Sequence, residues 1–122
     1  KVDDKILFLY GDDGLMHEKL ATHFFIHKKW VEATGHCVPP IFTGDWADNY
    51  ANNVADMLGR KVYVEKLKTT HYHPTAGKAI MDNVYLEKYH RDIKSNPHMI
   101  FRESAPMREL DVEKLRKVMS AD

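Results

Sequence analysis

The sequence predicts an α/β fold in which a short mixed sheet is flanked by helices. Two short segments have the composition of strands, and several longer segments repeat their apolar residues with helical spacing. The chain has 122 residues, which suits one compact domain, so we expect residues 1–122 to form a single domain. Hydrophobic residues make up 43% of the chain and charged residues 30%, a balance typical of globular proteins.

The first predicted strand is the continuous apolar run Ile6–Tyr10, which stops at the turn residues Gly11–Gly14. The next segment, Thr22–Val31, is ambiguous. It fits either one helix or a strand followed by a helix, and Gly35 ends it in both cases.

The clearest helix is Asp45–Leu58, because its large apolar residues recur at every fourth position and Gly59 follows at the place of a C-terminal glycine. Lys61–Lys66 then alternates in the manner of a strand.

Two more helices are predicted in the last third of the chain. One covers Gly77–Lys94 and is broken at Asn96-Pro97. The other covers Asp111–Met119, and we expect only a loop around Pro106. We expect the residues after this break, about 97–122, to form a C-terminal helical extension.

Charge and cysteine content exclude several classes of protein. Lysine plus arginine and aspartate plus glutamate number 18 each, so the neutral chain lacks the electrostatic footprint of a nucleic-acid-binding protein. The one cysteine, Cys37, cannot form an internal disulfide, which favours a reducing, cytoplasmic setting. Apolar runs of about six residues are too short to span a bilayer, and no signal peptide is recognised.

Asp48 is a candidate general base. A carboxylate beside a cleft can deprotonate a substrate hydroxyl. In the first turn of a helix, however, an acidic residue is equally explained by the favourable helix dipole. The neighbouring Trp46 is either a core aromatic residue or a platform on which a sugar ring stacks.

Asp12 and Asp13 follow a buried strand, in the position where open α/β sheets bind ligands. The pair can bind a divalent cation or a sugar hydroxyl, or it can be a plain turn. Tyr10-Gly11-Asp12-Asp13 also matches a metal-binding motif of RNA-dependent polymerases, but the neutral chain lacks the basic channel that a polymerase needs.

His71 and His73 are the candidate metal ligands. Side chains at i and i+2 of a strand point to opposite faces, so the two can share a metal only where the strand has ended, as Pro74 suggests. The alternatives are one metal-ligating histidine or a pair of hydrogen-bonded surface histidines. The spacing of the other histidines matches no standard zinc pattern.

Taken together, several segments resemble the acceptor-side, C-terminal half of the GT-A fold in bacterial and phage glycosyltransferases of the family-2 kind. The resemblance covers roughly residues 5–90. The block from His71 to Tyr85 is its most specific part. The other segments are Leu9–Asp13, Leu20–Thr22, Gly35 with Pro39-Pro40, Asp48-Asn49 and Leu58–Tyr63.

The resemblance implies a role for individual residues. Asp48 would be the catalytic base that deprotonates the acceptor hydroxyl, with Asp45 as the alternate. His71 would help bind a divalent cation, Mn²⁺ or Mg²⁺, that holds the diphosphate of a nucleotide-sugar donor, with His73 as the alternate. The implied substrate-binding residues are Asp12, Asp13, Trp46, His73 and Lys78.

Sugar transfer from such a donor needs a metal bound by carboxylates to neutralise the leaving diphosphate. In the family these carboxylates lie in a preceding nucleotide-binding half, which this sequence lacks. We therefore expect a fragment, or a truncated relative that binds without turnover. The alternatives are a non-catalytic carbohydrate-binding or assembly module derived from that fold, and a structural α/β domain. An exposed half-sheet would favour homo-oligomerisation or pairing with the missing N-terminal half.

Overall fold

In the part of the chain that the structure describes, three strands form a sheet: Phe8–Asp12 (β1), Phe24–Ile26 (β2) and Lys61–Lys68 (β3). The computed structural model describes residues 2–42, 44–71 and 83–121, with the side chains of residues 85, 89, 92 and 93 left out. The strand order is β2-β1-β3, with β2 antiparallel and β3 parallel to β1. The sheet is therefore mixed, as predicted.

Five α-helices are found in the described residues: Lys28–Thr34 (α1), Ala47–Leu58 (α2), Asn83–Ser95 (α3), Pro97–Glu103 (α4) and Ala105–Ser120 (α5). A single 3-10 turn, His17–Lys19, follows β1. The predicted α/β class, a small mixed sheet flanked by helices, is confirmed.

The core lies between one face of the sheet and helices α1, α2 and α5. Phe8 and Tyr10 of β1 are buried on this face, and the ring of Phe8 stacks on Phe24 with centroids 4.6 Å apart. Trp30 of α1 and Leu115 of α5 are buried in the same cluster. Each large apolar side chain removed from water contributes about 1.5–3 kcal/mol, so this cluster is the main source of stability.

The ambiguous segment after residue 22 is a strand followed by a helix. β2 ends at Ile26, and the side chain of His27 accepts a hydrogen bond from the backbone N–H of Lys29 to cap α1. Gly35, with φ of 85°, ends α1 in the left-handed conformation. This explains why neither helical nor strand periodicity fitted the whole segment.

β1 extends to Asp12, past the glycine that was expected to stop it. Gly11 is paired with Val64 of β3, and a Cβ atom at Gly11 would lie 2.1 Å from the carbonyl oxygen of Leu67. The glycine is therefore required for the close approach of two strands and does not mark a turn. The register shifts at this point, so that Asp12 lies opposite Lys68.

Two helix boundaries differ from those predicted. α2 begins at Ala47, two residues later than expected, because Trp46 has a left-handed φ of 70°. The last helix begins at Ala105, so the expected loop around Pro106 is wrong. Proline is tolerated there because the first turn of a helix has no intrahelical acceptor for its N–H. The predicted helix Gly77–Lys94 corresponds to α3. Its predicted start at Gly77 lies outside the described residues, and its end before Pro97 is confirmed.

A buried polar network joins α5 to the rest of the core. The carboxylate of Asp111 accepts a hydrogen bond of 2.6 Å from the Tyr50 hydroxyl and lies 2.7 Å from Nε2 of His36. Burial and the hydrogen bond to Asp111 both raise the pKa of Tyr50. The C-terminal helix is thus an integral part of the core.

Candidate active site

A cleft of about 610 Å³ lies beside the carboxyl-terminal end of β3 and the first turn of α2. This volume falls in the range of small-ligand sites, and the carboxyl ends of strands are where open α/β sheets bind ligands. Apolar side chains, among them Phe24 and Val38, form part of its wall. Its polar residues come from distant parts of the sequence: Thr22, His23, Asp45, Asp48, His71 and Lys88.

Asp13 organises the floor beneath this cleft. Its buried carboxylate accepts a 2.6 Å hydrogen bond from the hydroxyl of Thr22 and hydrogen bonds from the backbone N–H groups of Leu15, Met16 and His17. Burial alone would raise the pKa of Asp13, but these four donors outweigh it and lower the pKa. Asp13 is therefore an ionised group that fixes the loop after β1.

His71 is placed by the same acidic residue. Its backbone N–H donates to the carbonyl of Asp13 at 2.8 Å, and its Nδ1 lies 3.7 Å from Oδ2 of the Asp13 carboxylate. The separation of Nδ1 and Oδ2 is longer than a hydrogen bond, so the Asp13 carboxylate lies near the imidazole without accepting a hydrogen bond from it. The structure thus places His71 at the edge of the cleft, shortly after β3 ends.

His23 lies beside His71. The two rings are in an edge-to-face arrangement with centroids 5.3 Å apart, and both line the cleft. Nδ1 of His23 is 3.2 Å from the carbonyl oxygen of Thr69. Because a carbonyl oxygen can only accept, Nδ1 is the donor of this hydrogen bond. Among the described residues the site therefore contains the imidazoles of His23 and His71, whereas sequence spacing had drawn attention to His71 and His73.

Asp48 borders the cleft from the first turn of α2. Burial raises the pKa of its carboxyl group above the ordinary value of 3.8, and the nearby charge of Asp45 acts in the same direction. Hydrogen bonds from the backbone N–H of Asn49 and of Asp48 itself oppose this shift, as does the charge of His71. A carboxylate with a raised pKa is a stronger base than an exposed one.

Asp45 and Lys88 connect the cleft to α3. The Lys88 ammonium is 2.5 Å from Oδ1 of Asp45, and both residues line the cleft. The pair joins the start of α2 to a helix that follows much later in the chain. Asp45 is thus engaged in an ion pair, while Asp48 is the more buried of the two candidate bases.

Asp12 and Trp46 lie away from the lining of the cleft. The Asp12 carboxylate pairs with Lys68 at 2.9 Å and with His17 at 2.8 Å. The backbone N–H of Gly14 and the Lys68 ammonium lower the pKa of Asp12 to about 2. The ring of Trp46 packs against His98 and Phe101, with centroids 4.8 and 5.3 Å away. His73 and Lys78 lie outside the described residues.

The described residues supply imidazole nitrogen, not a cage of carboxylates, for a metal ion. Among them, no group of three or more histidine, cysteine, aspartate or glutamate side chains is arranged to bind one. The Asp13 carboxylate is already used by its four donors. His71 fits the role of one ligand by its position at the edge of the cleft, and the remaining ligands would come from elsewhere.

Sequence reasoning missed His23, Thr22 and Lys88. The sequence carried no local signal for the first two, because their place in the cleft depends on the antiparallel pairing of β2 with β1, in which Tyr10 lies opposite Phe24. That register brings residues before β2 to the end of β1. Lys88 gave no signal either, because any solvated helix face carries lysines.

Comparison with known proteins assigns no family to the chain. No family model, no curated protein and no solved structure matches it significantly. Over the ranges that the structure describes, no helix is both long and apolar enough to cross a membrane. Functional inference therefore depends on the geometry of the cleft and on the resemblance of the sequence.

Proposed function

We propose that the chain is the acceptor-side half of a GT-A type glycosyltransferase domain, which transfers a sugar from a nucleotide-sugar to a hydroxyl acceptor. The observation that supports this most is the meeting of Asp48 and His71 in one cleft, although they are far apart in the sequence. One is the residue that the resemblance implies as base, and the other is the residue that it implies as metal ligand.

In this proposal Asp48 removes the proton from the acceptor hydroxyl. The hydroxyl oxygen forms a bond to the anomeric carbon of the donor, and the bond from that carbon to the diphosphate breaks, so that a nucleoside diphosphate leaves. Burial of Asp48 supports its role, because it raises the pKa of the carboxyl group and makes the carboxylate a better proton acceptor.

A bound divalent cation would neutralise charge on the leaving diphosphate. His71 would be one of its ligands. The family's nucleotide-binding half would provide the carboxylates that the described residues do not. Val38 and Phe24 in the wall of the cleft give the acceptor an apolar surface on which the carbon-bound face of a sugar ring can lie.

The test joins this chain to an intact nucleotide-binding half of a GT-A enzyme and measures release of nucleoside diphosphate in the presence of acceptor. We expect Asp48→Asn to lower the rate by about 10²–10⁴-fold, the usual contribution of a general base. The matched control is Asp56→Asn, a neutralisation of an exposed carboxylate on the same helix. Equal rates in the two variants would remove the base assignment.

The second candidate is a non-catalytic carbohydrate-binding or assembly module derived from the same fold. It is favoured because the Asp13 carboxylate accepts hydrogen bonds from the backbone of its own loop. The described residues therefore have few acidic side chains left to bind a metal ion. Titration of nucleotide-sugar and of glycan into the chain discriminates the two. Glycan binding without nucleotide binding, also after fusion to the other half, would favour the module.

A further inference from the structure

His23 is a polar residue of the cleft to which the resemblance gives no role. Its side chain is exposed and lines the cleft next to His71. Because β2 pairs with the end of β1, this position is set by the sheet itself and not by a long loop. A rigid position of this kind suits a residue that must meet a ligand with defined geometry.

The hydrogen bond of His23 determines which of its nitrogens can bind a ligand. Nδ1 faces the carbonyl oxygen of Thr69, so Nδ1 carries a proton. In the neutral ring, Nε2 then has an available lone pair. Across the described residues, no hydrogen bond or ion pair of the protein uses this Nε2. A backbone carbonyl on one nitrogen and a lone pair on the other is the usual state of a metal-ligating histidine.

The separation of the two rings fits one shared ion. With metal–nitrogen bonds of about 2.1 Å, each ring centroid lies about 3.2 Å from the ion, and two ligands at a tetrahedral angle have centroids about 5.2 Å apart. The observed separation of the His23 and His71 centroids is 5.3 Å. The planes of the two rings are inclined by 67°. The rings therefore do not stack face to face, and an ion can lie between them.

We propose that His23 is a second ligand of the divalent cation, and that His23 and His71 bind it together. The role of this ion in sugar transfer rests on the proposed function, but its binding does not. Imidazole pairs favour later transition metals such as Co²⁺, Ni²⁺ and Zn²⁺, whereas Mg²⁺ and Mn²⁺ prefer oxygen ligands. The ion is therefore of the Co²⁺ and Zn²⁺ class, with water or diphosphate oxygens in its remaining positions.

The test uses the 122-residue chain and the metal alone. Co²⁺ binding is measured by calorimetry and by its visible absorption. We expect His23→Ala and His71→Ala each to weaken binding at least about tenfold. The matched control is His90→Ala, which removes an exposed histidine of α3 and leaves binding unchanged. Circular dichroism confirms that each variant is folded.

A second measurement needs no substitution. Substoichiometric Co²⁺, which is paramagnetic, should broaden the imidazole nitrogen signals of His23 and His71 in NMR spectra, and Mg²⁺ at the same concentration should not displace it. Metal binding that survives His23→Ala and broadening of His71 without His23 would each overturn the proposal. Neither result bears on the loss of activity in Asp48→Asn, so the proposed function can fail or stand separately.

Discussion

At the scale of single residues, one carboxylate of the cleft is held in an unfavourable environment while its neighbours are stabilised. Burial raises the pKa of Asp48, whereas donors around Asp13 lower its pKa. Asp48 lines the cleft, and Asp13 is hydrogen-bonded to two residues that line it, Thr22 and His71. Opposite pKa shifts of two acids around one site are typical of functional sites, where one group must exchange a proton and another must stay ionised.

Replacing Asp48 by asparagine should stabilise the protein at neutral pH. A raised folded-state pKa means that folding favours the protonated acid. The stability that this carboxyl group contributes is fully present below about pH 3.8, the ordinary pKa that it has in the unfolded chain. This stability is lost as pH rises through the folded-state pKa. Asp48→Asn should therefore unfold at higher urea concentration than the parent at pH 7, and the difference should disappear near pH 3.

The control for this prediction is again Asp56→Asn, for which we expect a change within about 0.5 kcal/mol at both pH values. A lower urea midpoint for Asp48→Asn at pH 7 would mean that hydrogen bonds to the carboxylate outweigh its desolvation. Stabilisation together with lost activity would be the usual cost of placing a charged base in a cleft.

Removing the Asp13 carboxylate should be strongly destabilising. Asp13→Ala leaves the Thr22 hydroxyl and the loop N–H groups without their acceptor, and hydrogen bonds to a charged group contribute about 1.5–3 kcal/mol each. We expect a loss of about 3 kcal/mol in urea unfolding. The partners of Asp12 are exposed, so Asp12→Ala should lower the free energy of unfolding clearly less than Asp13→Ala does. Equal losses in the two variants would contradict this prediction.

The sequence could predict two members of the site, because a carboxylate at a helix start and a histidine after a strand are local patterns. Asp48 and His71 both line the cleft. His23 could not be found in this way, since its proximity to His71 depends on how three strands pair. The same limit applies to Trp46, whose ring meets α4 and not the cleft wall.

At the scale of elements, α5 joins the core through a narrow buried face. Val112 and Leu115 are buried, whereas Leu110 on the same helix is 48% exposed. The sequence pattern indicated the apolar stripe but not the early start of the helix, because a proline normally argues for a break. The first turn is the one place in a helix where that argument fails.

Leu115→Ala should cost about 2–5 kcal/mol in the free energy of unfolding, the usual cost of truncating a buried leucine. The side chain is fully buried between α5 and the rest of the core, so its loss leaves a cavity. Leu110→Ala is the matched control and should change stability by less than about 0.5 kcal/mol. Similar values for the two variants would show that α5 is not packed as described.

At the scale of the whole molecule, the class of the fold was readable from the sequence, but the strand order was not. Alternating or continuous apolar runs report burial of a segment, and they do not report its partner. The parallel pairing of β1 with β3 joins segments separated by β2, α1 and α2. It is this non-local pairing that brings Asp13 and His71 together and so creates the floor of the cleft.

The whole protein should lose stability steeply in acid. Hydrogen bonds from Arg60 lower the pKa of Asp4, and the backbone N–H of Gly14 and Lys68 lower that of Asp12 to about 2. A lowered folded-state pKa contributes stability that is present above the unfolded value of 3.8 and is lost as pH falls through the folded value. Asp13 acts in the same direction, so three native carboxylates must be protonated in the same window.

Urea unfolding from pH 7 down to pH 2 checks this prediction. We expect the contribution of these three carboxylates to the free energy of unfolding to be nearly constant down to about pH 4 and to fall steeply toward pH 2. Asp12→Asn should flatten the fall, because its side chain no longer takes up a proton on unfolding. The remaining slope in that variant then combines the contributions of Asp4 and Asp13 with the opposite contribution of Asp48. An unchanged slope would mean that the pairs of Asp12 with Lys68 and His17 are not maintained in solution.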